Sequence, residues 1–248
     1  MDSMFDDSMF DLLFGRINGG LDAGILALSL LGSLAMCAAL FLLGRRNETA
    51  WLLVAGAYLL WGVSALLGLS PRMLDSVLSM LLFLLGVAIP LILGIGVGVY
   101  GLLCFRRYPL PAPMTRAITL RTFKGTELLL PLAVALAFGL ASLIPVLSVF
   151  AQYGLWDQVP LATLATVIIT GTLGGLLPGG LVGLAQRGRW AWFLLVIPPL
   201  LDIYSSVISA AGSVKIFLSI ATIALAVLGW SRWGSLPAET RQPSTNNR

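Results

Sequence analysis

The sequence predicts an all-α polytopic membrane protein, a bundle of about seven transmembrane helices, and three observations lead there. The chain is 58% hydrophobic and only 10% charged, where soluble domains carry about 25% charged residues. Its mean hydropathy is +0.96. Seven apolar runs are each long enough to cross about 30 Å of hydrocarbon as helix, and none alternates apolar with polar residues as the strands of a membrane barrel do.

Residues 1–20 carry Asp2, Asp6, Asp7 and Asp11, the opposite of the basic start of a secretory signal, so no cleavage is expected. The doublet Asp2-Ser3-Met4-Phe5 and Asp7-Ser8-Met9-Phe10, with Leu12, Leu13 and Phe14 after it, fits either a helix lying in the outer interface or a frayed acidic tail. A transmembrane domain then fills residues 21–234. Its first two spans, 23–43 and 50–69, flank the basic turn Arg45-Arg46. The third, 77–105, is longer than a bilayer requires and holds Pro90, Gly94, Gly96, Gly98 and Gly101, so it must tilt, kink or break.

The basic loop 106–126 follows. Pro109, Pro111 and Pro113 stiffen its start. Beyond Thr115, apolar Ala117, Ile118, Leu120 and Phe123 interleave with Arg116, Arg121 and Lys124, as in a short helix on a membrane surface. The loop reads as an anchoring linker or as a docking site for a membrane or cytoplasmic protein partner. Spans at 128–150, 161–185, 190–209 and 214–231 complete the seven, and the polar residues 235–248 read as a disordered tail.

Basic loops stay cytoplasmic. With the N-terminus outside, twelve of the fifteen Lys and Arg residues fall inside, and only Arg16, Arg72 and Lys215 fall outside. This places the C-terminus in the cytoplasm and the protein in the plasma (inner) membrane. The net charge of +4 then reflects topology and contact with the lipid bilayer, and nucleic acid is not expected as a partner.

A weak internal repeat joins the second and sixth spans. Setting Trp51 on Trp192 aligns Leu53 with Leu194, Leu59 with Leu200, Leu60 with Leu201 and Ser64 with Ser205, and places a basic turn before each. With the fourth span as separator, this implies a 3+1+3 arrangement of two parallel repeats.

The absence of histidine removes His-based metal sites, haem ligation through His and Ser-His triads. No metal or other cofactor is expected, and the chain is expected not to be an enzyme. One carboxylate lies deep in a span: Asp202, near the midplane if its helix is continuous. At that depth a charge costs at least about 2.5–3.5 kcal/mol, so Asp202 should face the bundle interior, be protonated, or have a partner. Pro198 and Pro199 precede it by a turn and free backbone carbonyls; Tyr204 and Ser205 follow. With Thr170 of the fifth span these form the expected solute-binding set, beside the alternative that Asp202 is a structural hydrogen-bonding group. Lys215 begins the seventh span, too near the interface to hold a retinal.

Gly171, Gly175, Gly179 and Gly183 recur every fourth residue, with Pro178 among them. A phosphate loop would need a GK[ST] ending, which is missing. The stripe therefore reads as a surface for close helix approach or, through Pro178, as an interruption beside a cavity; Pro90 and Pro198 are the other expected hinges. These features together point to a transporter or permease for a small-molecule solute, the alternative being a non-catalytic structural or assembly subunit of a membrane complex.

Overall fold

A computed structural model describes residues 20–68, 77–107, 125–152, 161–208 and 213–234. The acidic segment, nearly all of the 106–126 loop and the tail, with the expectations placed on them, lie outside these residues. Among the described residues there is no strand. The described residues form nine helical elements grouped in seven segments: α1 (Gly20–Gly44), α2 (Ala50–Leu67), α3 (Val77–Arg107), α4 (Gly125–Gln152), α5 (Leu161–Gly174) with α6 (Leu176–Ala185), α7 (Ala191–Leu194) with α8 (Ile197–Ile208), and α9 (Ser213–Gly234). Six of these segments are long and apolar enough to cross a bilayer; the α7–α8 segment, apolar over Ala191–Val207, is shorter.

Two spans are interrupted, and proline accounts for both. Pro178 has no N–H for the Gly174 carbonyl four residues back. The chain steps through Gly175, whose amide bonds to the Thr172 carbonyl at 3.2 Å, before helix resumes at Leu176. In the sixth span Pro198 and Pro199 likewise leave the carbonyls of Leu194 and Leu195 without helical donors. The continuous helix assumed from the sequence is therefore split between α7 and α8. In α3, by contrast, Pro90 sits inside one uninterrupted helix of 31 residues.

The spans form a closed ring: each packs on the next in sequence, and α9 returns against α1. Across it, α3 also meets α6. Glycines set the closest approaches. Gly171, Gly175 and Gly179 face Leu143, Ala135 and Pro131 of α4, while Gly183 faces Ala191 and Trp190. Gly180, beside the stripe, is also covered, by Leu195 and Ala191, whereas Gly174 is open.

The repeat is visible in the backbone. Both repeats turn through a left-handed arginine, Arg46 at φ 60° and Arg187 at φ 65°, a conformation costing a non-glycine residue about 1–2 kcal/mol. Around Arg46, amides of Arg46 and Asn47 bond to the carbonyls of Leu43 and Leu42 at 2.9 Å each. Around Arg187, amides of Arg187 and Gly188 bond to Leu184 and Gly183 at 2.8 Å each. Both are the paired bonds of a Schellman helix ending. The next helices start alike, with Trp51 on the Glu48 carbonyl and Trp192 on that of Arg189, at 3.1 and 3.2 Å.

Each of these tryptophans then lies in a glycine socket on the third helix of its repeat, Trp51 at Gly101 and Trp192 at Gly229. One turn on, Trp51 meets Phe105 edge to face at 5.5 Å, and Trp192 meets Trp233 at 5.6 Å. The Trp233 indole N–H donates to the Leu43 carbonyl at 3.1 Å, tying the repeats together.

The main core lies at this end, where the arginine turns are. Trp51, Trp192, Trp233, Leu43, Leu184 and Leu195 are all buried. Lipid is as apolar as these side chains, so close packing rather than water exclusion holds the layer together.

Candidate functional site

At the opposite end the bundle opens. A cavity of about 250 Å³ lies between α1, α2, α8 and α9, and Asp202, Lys215, Trp61, Ser33, Ser219 and Thr222 are among its lining residues. A second, of about 610 Å³ and more apolar, lies between α1, α2, α3 and α4, against Tyr58, Phe83, Pro90 and Phe138. Ser29 and Trp61 border both. Trp61 is fixed there by its N–H on the Ser29 carbonyl at 3.2 Å and by an edge-to-face contact with Tyr58 at 5.4 Å.

Polar groups line the smaller cavity because small hydroxyls recur along two helices that are otherwise apolar. Ser33 donates to the Ser29 carbonyl at 3.0 Å, and Thr222 to that of Leu218 at 2.9 Å. With their protons used within the helix, these oxygens present acceptor lone pairs. Asp202 adds an acceptor and Lys215 a donor. Lys215 is near enough to act electrostatically on Asp202, but no ion pair joins them among the described residues. Two opposite charges thus border one small space without closing on each other.

Asp202 has a basic neighbour in Lys215. It sits six residues before the end of α8 and eleven after the start of α7, about 9 Å from the open end at helical rise, on the open-end side of the middle. Pro198 and Pro199 also line this cavity. Tyr204 and Ser205 do not: Tyr204 is exposed, and the Ser205 hydroxyl donates to the Asp202 carbonyl at 3.1 Å. Thr170 lies on α5, donating to the Val167 carbonyl at 3.2 Å, and does not border the cavity. Of the four residues read as solute-binding, the cavity includes Asp202. Reading the sequence by spans missed Ser29, Ser33, Lys215, Ser219 and Thr222, although hydroxyls or charge recurring every three or four residues on α1 and α9 mark one face of each helix.

No group of three or more His, Cys, Asp or Glu side chains comes together among the described residues. At the closed end, burial and the nearby Arg187 guanidinium push Arg46 down to about 10, which leaves it charged at neutral pH. The chain matches no protein-family model, no curated protein and no solved structure. Its residues alone carry the functional reading.

Proposed function

We propose that the protein is a transporter of a small polar solute, with the cavity at Asp202 and Lys215 as its binding site. The carrying observation is that both charges line one small cavity without forming an ion pair. In a medium of low dielectric such charges attract strongly, so a polar guest between them replaces the contact they forgo. Support also comes from the uneven bundle, tight at the arginine turns and open at the other end, built from two parallel repeats as many transporters are. On the orientation read from the basic loops, this cavity faces outward.

The test is a thermal-shift screen of the purified protein against small amines, amino acids and polyols, followed by uptake of any hit into proteoliposomes. A solute that stabilises wild type should fail to stabilise Asp202→Asn, and that variant should fold normally but take up none. A solute bound and taken up equally by both proteins would remove Asp202 from the site, and binding and uptake of none of them would favour an assembly subunit.

A further inference from the structure

The smaller cavity holds one charge of each sign, so its lining carries no net charge. Asp202 stands on α8 and Lys215 on α9, two helices that pack on each other. Counted from the facing ends of these helices, Asp202 lies six residues in and Lys215 two, about 9 Å and about 3 Å at helical rise. Asp202 is therefore rooted about 6 Å deeper than Lys215. Both line the same space, and no ion pair joins them among the described residues.

Guests of different charge fare differently between such groups. An amine answers Asp202 but sets a second cation before Lys215, an acid does the reverse, and a polyol neutralises neither. A zwitterion answers both. The hydroxyls suit its cationic end: Ser33 and Thr222, which donate to backbone carbonyls, keep acceptor lone pairs, and an ammonium brings three donors. Elsewhere the lining is apolar, with Leu30, Met36 and Leu177, which suits an apolar side chain on the guest. At about 30 Å³ per heavy atom, the share of a water in the liquid, a cavity of about 250 Å³ takes a guest of about eight non-hydrogen atoms.

We propose that the site takes a zwitterionic α-amino acid with an apolar side chain, of valine to methionine size, its ammonium on Asp202 and its carboxylate on Lys215. The inference rests on the binding site assigned above to the transporter, and it concerns what binds there rather than whether it crosses.

The test follows thermal unfolding of the full chain in phosphatidylcholine nanodiscs near neutral pH. The probes are L-valine, L-leucine and L-methionine and, for each, the amine that lacks the carboxylate and the acid that lacks the amino group. At least one amino acid should raise Tm by about 5 °C or more at about 100 times its Kd, and its amine and acid should each bind at least about tenfold more weakly. An amine or acid binding as tightly as its amino acid, or no response to any of the three amino acids, would overturn the assignment; this comparison needs no variant.

Two variants then check the direction of the guest. The advantage of the amino acid over its amine should vanish in Lys215→Gln, and its advantage over the acid should vanish in Asp202→Asn, a pair of opposite changes that a general loss of folding does not produce. An advantage that survives in either variant would overturn the pairing of charges. Uptake into proteoliposomes separates this inference from the transport reading. An amino acid that binds but does not enter keeps the assignment and refutes transport, whereas an amine or polyol that binds and enters in place of the amino acids refutes the assignment and keeps transport.

Discussion

Replacing Gly175 by alanine sets a methyl group against the backbone of α4. An ideal Cβ there stands 2.8 Å from the Gly139 nitrogen and 2.9 Å from the Ala135 carbonyl carbon, and meets the Ala135 oxygen as well. Comfortable contacts begin near about 3.5 Å, so the fifth span and α4 must part by roughly 1 Å. Backbone cannot rotate away as a side chain does. The separation also loosens Gly139 against Thr172 and Gly179 against Pro131, which depend on the same approach. Overpacking of this kind costs about 1–3 kcal/mol.

Gly174, one residue earlier, supplies the control, since a Cβ there has nothing within 4 Å. Gly175 has a right-handed helical backbone, φ −65° and ψ −14°, so alanine is not strained at it. Both substitutions gain helix propensity, up to about 1 kcal/mol, and their difference isolates the steric effect. In thermal unfolding of the purified protein followed by circular dichroism, Gly175→Ala should melt about 2–12 °C below Gly174→Ala. Equal melting temperatures would refute the close contact between α4 and the fifth span.

Other expectations follow from the same contacts. Trp233→Phe removes the indole bond to Leu43 and gives the second repeat the ring that the first has at Phe105; with the Leu43 carbonyl stranded, chemical denaturation should show a loss of about 1–3 kcal/mol. Gly101→Ala drives a methyl into the buried Trp51 ring, whereas Gly96→Ala meets open space, so only the first should lower Tm and blue-shift or broaden tryptophan emission. Gly180→Ala should fall between Gly174→Ala and Gly175→Ala in Tm, because its nearest obstacle, Leu195 Cδ2 at 2.7 Å, is the movable tip of a side chain. For orientation, a membrane-impermeant thiol reagent applied to intact cells should label Ser3→Cys and spare Ser244→Cys; the reverse pattern would invert the topology.

Hydropathy was enough to read the spans, because burial of the backbone in lipid demands long apolar helices whatever their neighbours. It could not show which leucine faces meet, since a leucine toward lipid and one toward protein look alike. Glycine spacing did better: the stripe at Gly171, Gly175 and Gly179 faces α4 because only small residues permit that approach. Gly180 looks peripheral in a helical projection but lies under α7, brought over it by the turn at Arg187. The repeat was half legible. Trp51 and Trp192 align at a shift of 141, but their partners Phe105 and Trp233 align at 128 (233 − 105), because α9 and the connection before it are shorter than α3 and its own. A single sequence register therefore hides the third pair of helices. The site was legible in Asp202, whose charge stands out in an apolar run, and not in Ser29 or Ser219, whose hydroxyls are inexpensive in any helix.

The shift of 141 has one more correspondence, at the open end. It carries Trp61 onto Asp202 (61 + 141 = 202), and both border the smaller cavity. Where the halves are closed they agree almost bond for bond; where they part, one contributes an indole and the other a carboxylate at the same station. A duplicated frame with matched walls would receive a guest in either of two poses related by its axis. Unlike walls remove that degeneracy, so under the proposed function a solute between Trp61 and Asp202 would have a single heading, its cationic or donor end toward α8. The symmetry that builds the frame at the arginine turns is thus broken at the cavity wall.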